Sequence, residues 1–214
     1  ATIGEIPTGA IADMVGKKKA VVVAFIISGL GNLLMALAPN YSVLLASIVM
    51  MTLGGCFYSG SLEALVYDGL KQEGKAGIFD KVVSRMNTMQ NLGMAISGAV
   101  GGYLYTINNS LPFVLVSVFY MIGAIVALWL VEPIIDTEKY SWNAFISQNR
   151  AGFGQLFGKI DVRKMVIALL LPSVFMVATE NVLSDATAME LGLNSVQLGI
   201  YASVLFMVGV IFSE

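Results

Sequence analysis

Histidine is absent from the 214 residues and cysteine occurs once, at Cys56. Neither an internal disulfide nor a His/Cys metal site can therefore be assembled from this chain. Without histidine the usual general base of a serine hydrolase is missing as well. Charge is scarce: Asp, Glu, Lys and Arg make up 12% of the residues, whereas 57% are hydrophobic and the mean hydropathy is +0.81. A soluble domain cannot carry that much apolar surface, so the chain belongs in lipid. The formal net charge of -2 gives no global attraction to nucleic acid. The first residues lack an initiator Met, a basic n-region and a small-residue cleavage site, so they are not read as a signal peptide. With no helix stop at the other end, an internal fragment is expected.

What is present is a succession of apolar windows of roughly 20 residues, enough to cross about 30 Å of hydrocarbon. They run over 20–38, 42–62, 86–112, 111–131, 165–184 and 191–213, with a partial one at 1–14. The fold class expected is an all-α, polytopic transmembrane helical bundle. The breaks between spans alternate. Those at 38–42, 107–112 and 184–197 contain no Lys or Arg, while 17–19, 71–85 and 139–164 hold all twelve basic residues. By the positive-inside rule the three basic loops are cytosolic, in a multi-pass protein of the plasma (inner) membrane.

Residues 133–163 turn polar and form the one linker, separating 1–132 from 164–214. Within it Trp142, Phe145, Ile146, Phe153, Leu156 and Phe157 recur at helical spacing, which predicts an amphipathic helix on the cytosolic face. Asn40-Tyr-Ser42 and Asn108-Asn-Ser110 match the glycosylation sequon, but both turns are very short and read as turn chemistry.

Where the first, partial span leaves the membrane stands Gly9-Ala-Ile-Ala-Asp13-Met-Val-Gly16-Lys17-Lys18-Lys19. Gly9 permits close helix contact, Asp13 places a charge at the membrane edge, Gly16 allows a tight turn, and the lysines forbid entry into lipid. This string resembles the G-x-x-x-D-x-x-G-[RK]-[RK] signature between the second and third transmembrane helices of the major facilitator superfamily. Glu5-Ile-Pro-Thr-Gly9 is similar to the end of helix two in prokaryotic multidrug-type members. The resemblance implies that the chain covers helices two to eight of a twelve-helix, two-half transporter. Residues 1–132 would then belong to the N-terminal half, 133–163 to the central linker and 164–214 to the start of the C-terminal half. The halves are parallel repeats, so Glu214 is the expected counterpart of Glu5.

Two further stretches bear on the resemblance. Gly93, Ser97, Gly98, Gly101 and Gly102 form small-xxx-small pairs that let helices approach closely. Ser97-Gly-Ala-Val-Gly-Gly102 is similar to the G-P-x-x-G-G element in helix five of the family's proton antiporters, with Ser97 in place of the first Gly and Gly98 in place of Pro. The family's helix-four Arg has no equivalent in 47–54. Asp68 is instead expected to pair at the cytosolic edge with Arg85, Lys71 or Lys81, or to be solvated and idle.

Glu5, Glu63, Glu180 and Glu214 lie in apolar spans, where an ionised carboxylate near the middle costs about 2.5 kcal/mol or more. They are candidate proton or substrate coupling groups, with polar glue or an interfacial position as the plain alternative. Glu180, near Pro172, is the preferred one. Asn87, Gln90 and Asn91 are candidate cavity-lining groups.

The function expected is therefore secondary active transport by alternating access, with proton-coupled efflux of small amphiphiles implied by the multidrug-type resemblance. Uptake of a small metabolite by symport, or a sensor or scaffold without flux, remain alternatives. An enzyme is not expected. Tyr67-Asp68 resembles half of an aspartyl intramembrane protease, but the Gly-x-Gly-Asp partner is missing. No cofactor and no metal is implied, and the partners expected are a small-molecule substrate, protons and the bilayer, around a monomer.

Overall fold

The structure, a computed structural model, describes residues 11–12, 15–133, 146–147, 160–179, 187 and 190–211. Among them helix is the only regular structure. Six α-helices follow one another: α1 (Lys17–Ala36), α2 (Tyr41–Gln72), α3 (Phe79–Ile107), α4 (Leu111–Ala127), α5 (Ile160–Ala178) and α6 (Ser195–Ile211).

Local chemistry sets their ends. Beyond α1, Ala38 precedes Pro39, which disfavours helical backbone at that position. Asn40 then caps α2, its side chain accepting from the Val43 N–H at 3.0 Å. Asn108 folds its side-chain oxygen onto the Ser110 N–H at 2.8 Å, and Pro112 occupies the first turn of α4. Both sequon asparagines thus act as turn and cap residues, as expected.

At 32 residues α2 is about 48 Å long, well beyond the hydrocarbon thickness. It continues past the apolar span 42–62 and carries Glu63, Asp68 and Lys71 on its last turns. The basic loop expected at 71–85 is correspondingly shorter. Only Glu73–Ile78 connects the helices, through Gly74 at φ 71° and a 3₁₀ turn at Ala76–Ile78, while Lys81 and Arg85 already sit on α3. Of the expected spans, α1 and α2 are long and apolar enough to cross a membrane on their own. Helices α4 and α6 are apolar but have 17 residues each. In α3, Asn, Gln, Ser and Gly dilute the apolar content. In α5, Pro172 lies inside a helix that continues to Ala178.

Helix α1 lies between α2 and α4 and runs antiparallel to both. Small residues set its distance from each. A Cβ on Gly54 would collide with Ser28 and come within 3.0 Å of the Ala24 carbonyl, and one on Gly29 would meet Tyr120 at 3.1 Å. Ser117 Oγ donates to the Gly29 carbonyl at 2.8 Å in the buried α1–α4 contact. Val21, Leu65 and Ala127 form the core where the three helices meet, with Phe25 and Leu62 against it. At the far end Ser110 Oγ donates to the Ala36 carbonyl at 2.7 Å. All basic residues of α1, of the α2–α3 turn and of the start of α3 thus lie at one end, and the base-free turns around Asn40 and Ser110 at the other. Helix α6 packs antiparallel on α3. The expected linker helix lies outside the described residues except for Ile146 and Ser147, which are helical and exposed.

Candidate functional site: a charged cluster at the basic end

Helix α1 begins with backbone N–H groups that no intrahelical carbonyl can satisfy. The carboxylate of Glu132, five residues beyond the end of α4, fills that position: Lys17 N–H donates to one oxygen at 2.7 Å and Lys18 N–H to the other at 2.9 Å. A negative group there also meets the positive end of the helix dipole. Gly16 makes the approach possible in two ways. Its φ of 109° is open to glycine, and a Cβ on it would stand 3.2 Å from the Glu132 carboxylate.

From the same turn, Lys17 Nζ reaches across to α2 and forms an ion pair with Asp68. The two side chains are only 23% and 13% exposed, so solvent screens the pair less than it would a surface bridge. Lys17 is therefore a hub, its backbone held by Glu132 and its ammonium by Asp68. Three helix ends that are distant in sequence are joined by charge and hydrogen bonds at the mouth of the bundle.

The sequence named Lys17 and Asp68 but matched Asp68 with Arg85, Lys71 or Lys81. The structure corrects this: Asp68 pairs with Lys17 of the antiparallel α1, while Arg85 lies on the wall of a cavity. Glu132 was missed altogether. Its signal was its position, the first charged residue after the apolar span 111–131, on the side where the lysines gather. Lys18 is half-buried and Lys19 exposed. Gly9 and Asp13, like Glu5, Glu180 and Glu214, lie outside the described residues.

A cavity of about 800 Å³ opens between α2 and α3 and gathers Glu63, Arg85, Asn87 and Gln90 among apolar groups. Glu63, Asn87 and Gln90 had been expected to line a cavity, and they share this one. Asn91 does not join them. Its side-chain amide stands instead 3.4 Å from where a Cβ on Gly209 of α6 would be.

The small-residue motif of α3 divides between two faces. Gly98 and Gly102 meet α6 backbone to backbone: a Cβ on Gly98 would come within 3.0 Å of the Gly199 carbonyl oxygen, and one on Gly102 within 3.0 Å of Gly199 Cα. Gly93, Ser97 and Gly101, one helical face further round, line an apolar cavity of about 540 Å³ against α4. Among the described residues no group of three or more His, Cys, Asp or Glu is placed to hold a metal ion.

The described helices form an apolar antiparallel bundle, with the basic residues of α1 and of the α2–α3 turn at one mouth and glycine contacts between helices, an architecture that fits a polytopic membrane protein. The comparisons identify the family. The sequence model of the Major Facilitator Superfamily matches residues 1–213, and the chain belongs to that family. It is a family of transporters and not of enzymes. The curated relatives include the Quinolone resistance protein NorA of Staphylococcus aureus strains Mu50 / ATCC 700699, N315 and MRSA252. Each is 21% identical over 163 residues, 76% of this chain and 40% of the relative. The chain thus spans less than half the length of the curated relatives it matches. No solved structure matches it.

Proposed function

We propose that the protein is a secondary active transporter that works by alternating access and exports small amphiphilic compounds in exchange for protons. The observation that carries this reading is the cluster at the basic end. Lys17, Asp68 and Glu132 tie three helix ends of residues 1–132 into one charged edge, against which the other half of a two-half transporter can close and open. Gly9 and Asp13 of the signature precede it in the chain. By the positive-inside rule this end faces the cytosol, in the plasma membrane.

Family membership supports transport, and the relatives' name, which speaks of quinolone resistance, fits a drug-like substrate. In this reading residues 1–132 form part of one half, 133–163 the linker and 164–214 part of the other. Glu180 is the coupling carboxylate, protonated from one side and released to the other. Glu5, Glu63 and Glu214 are further positions where a carboxylate in an apolar span can face the aqueous path.

Flux in proteoliposomes tests the proposal. An imposed pH gradient is expected to drive accumulation of a fluorescent amphiphilic cation such as ethidium, and Glu180→Gln is expected to uncouple it. Accumulation that ignores the gradient and survives Glu180→Gln would remove proton coupling; absence of flux for any probe would favour a sensor.

A further inference from the structure

The cavity between α2 and α3 contains one acidic and one basic side chain, Glu63 from α2 and Arg85 from α3. Among the described residues the ion pairs are Lys17–Asp68 and Lys75–Glu73, so neither cavity charge is spent on a bridge. Glu63 stands five residues before Asp68 on the same helix, about 7.5 Å deeper than the gate cluster. Both residues are exposed, so each charge is open to water or to a charged ligand.

The rest of the lining separates by character. Asn87 and Gln90 offer both donors and acceptors and can hydrogen-bond a head group of either sign. Met86 and Met89, with neighbouring Val and Leu side chains, supply a deformable apolar wall. The volume of about 800 Å³ falls within the range of small-molecule sites.

Charge balance then selects among ligands. A simple cation drawn to Glu63 is repelled by Arg85 in the same cavity, and a simple anion meets the reverse. A head group with an ammonium and a carboxylate satisfies both. We propose that this cavity is a binding site for zwitterionic amphiphiles, with Glu63 taking the ammonium, Arg85 the carboxylate, and the methionine wall the apolar body. The inference rests on the transporter reading for its physiological role and deepens it by naming a substrate class.

Equilibrium binding separates the two. Nε-dansyl-lysine is a fluorescent zwitterion; its methyl ester is a cation and its Nα-acetyl derivative an anion, with the same apolar group. Titrated into the intact protein in nanodiscs, the zwitterion is expected to bind about tenfold more tightly than either analogue. Glu63→Gln should erase its advantage over the anion, and Arg85→Gln its advantage over the cation, each leaving the other preference in place. Equal binding of all three probes, no binding of the zwitterion, or variants that weaken all probes alike would overturn the proposal. Ethidium flux is measured in parallel on the wild type. Its absence in the wild type with selective zwitterion binding intact would count against transport and not against the site.

Discussion

The cluster around Lys17 and the seam between α3 and α6 hold helices together by opposite means. At the first, side chains reach between helix ends, and two carboxylates answer one ammonium and two backbone N–H groups. At the second, side chains are nearly eliminated, and Gly98, Gly102 and Gly199 let one backbone lie on another. The first contact is adjustable by charge, proton and salt, the second only by shape. A transporter has use for both, since a seam that closes by shape can slide or open as a unit, while a charged mouth can be released by a local event.

That contrast fixes the order of expected effects. Gly199→Leu forces a side chain into the Gly98 carbonyl and the Gly102 backbone, and is expected to cost about 3 kcal/mol or more, read as a lowered midpoint of thermal unfolding in detergent. Gly93→Ala, on the open face of α3, is expected to be neutral or to stabilise by up to about 1 kcal/mol through helix propensity. Equal damage from both would break the division of the motif into two faces.

Asp68→Asn comes next, at about 2 kcal/mol, because it takes a carboxylate away from the Lys17 ammonium at a mostly covered position. In the double variant with Lys17→Met part of the loss should return; strict additivity would mean that the pair is not coupled. Glu132→Gln keeps the shape and one acceptor oxygen but loses the charge facing the helix end. About 1 kcal/mol is expected, shrinking as salt is raised.

The smallest effect belongs to Glu73 and Lys75 in the turn after α2. The hydrogen bond from Lys75 and then its charge hold the Glu73 carboxyl below its ordinary value, and the same contact raises Lys75. A lowered carboxylate contributes stability above its unfolded value and loses it as pH falls through the folded one. For Lys75 the contribution is complete below the ordinary lysine value and vanishes as pH rises through the raised one. Both groups are fully exposed, so Glu73→Gln is expected to leave the unfolding midpoint unchanged at neutral pH. A large shift there would challenge the ranking.

Much of this comparison was readable from the sequence. Apolar windows and the segregation of basic residues announced a helical membrane bundle, because lipid restricts both composition and charge placement. The Gly16-Lys17-Lys18-Lys19 turn was located because its residue types answer a local need. Partner choice was not legible. Asp68 lies closer in sequence to Arg85 than to Lys17, yet the antiparallel packing of α1 on α2 decides the pair. Glu132 gave little warning, since its role comes from the point where α4 returns to the start of α1. The small-residue motif was recognised as a unit, but only the helix neighbours reveal that its residues 93, 97 and 101 face one way and 98 and 102 another.

The account's central claim is that the Lys17 cluster works as a gate and does more than brace the fold. Substrate flux and substrate binding measured side by side on Asp68→Asn and Glu132→Gln, in the intact protein and under conditions where both variants stay folded, test it most directly. The account predicts flux reduced about tenfold or more with binding within twofold of the wild type. Flux equal to the wild type in both variants would contradict it.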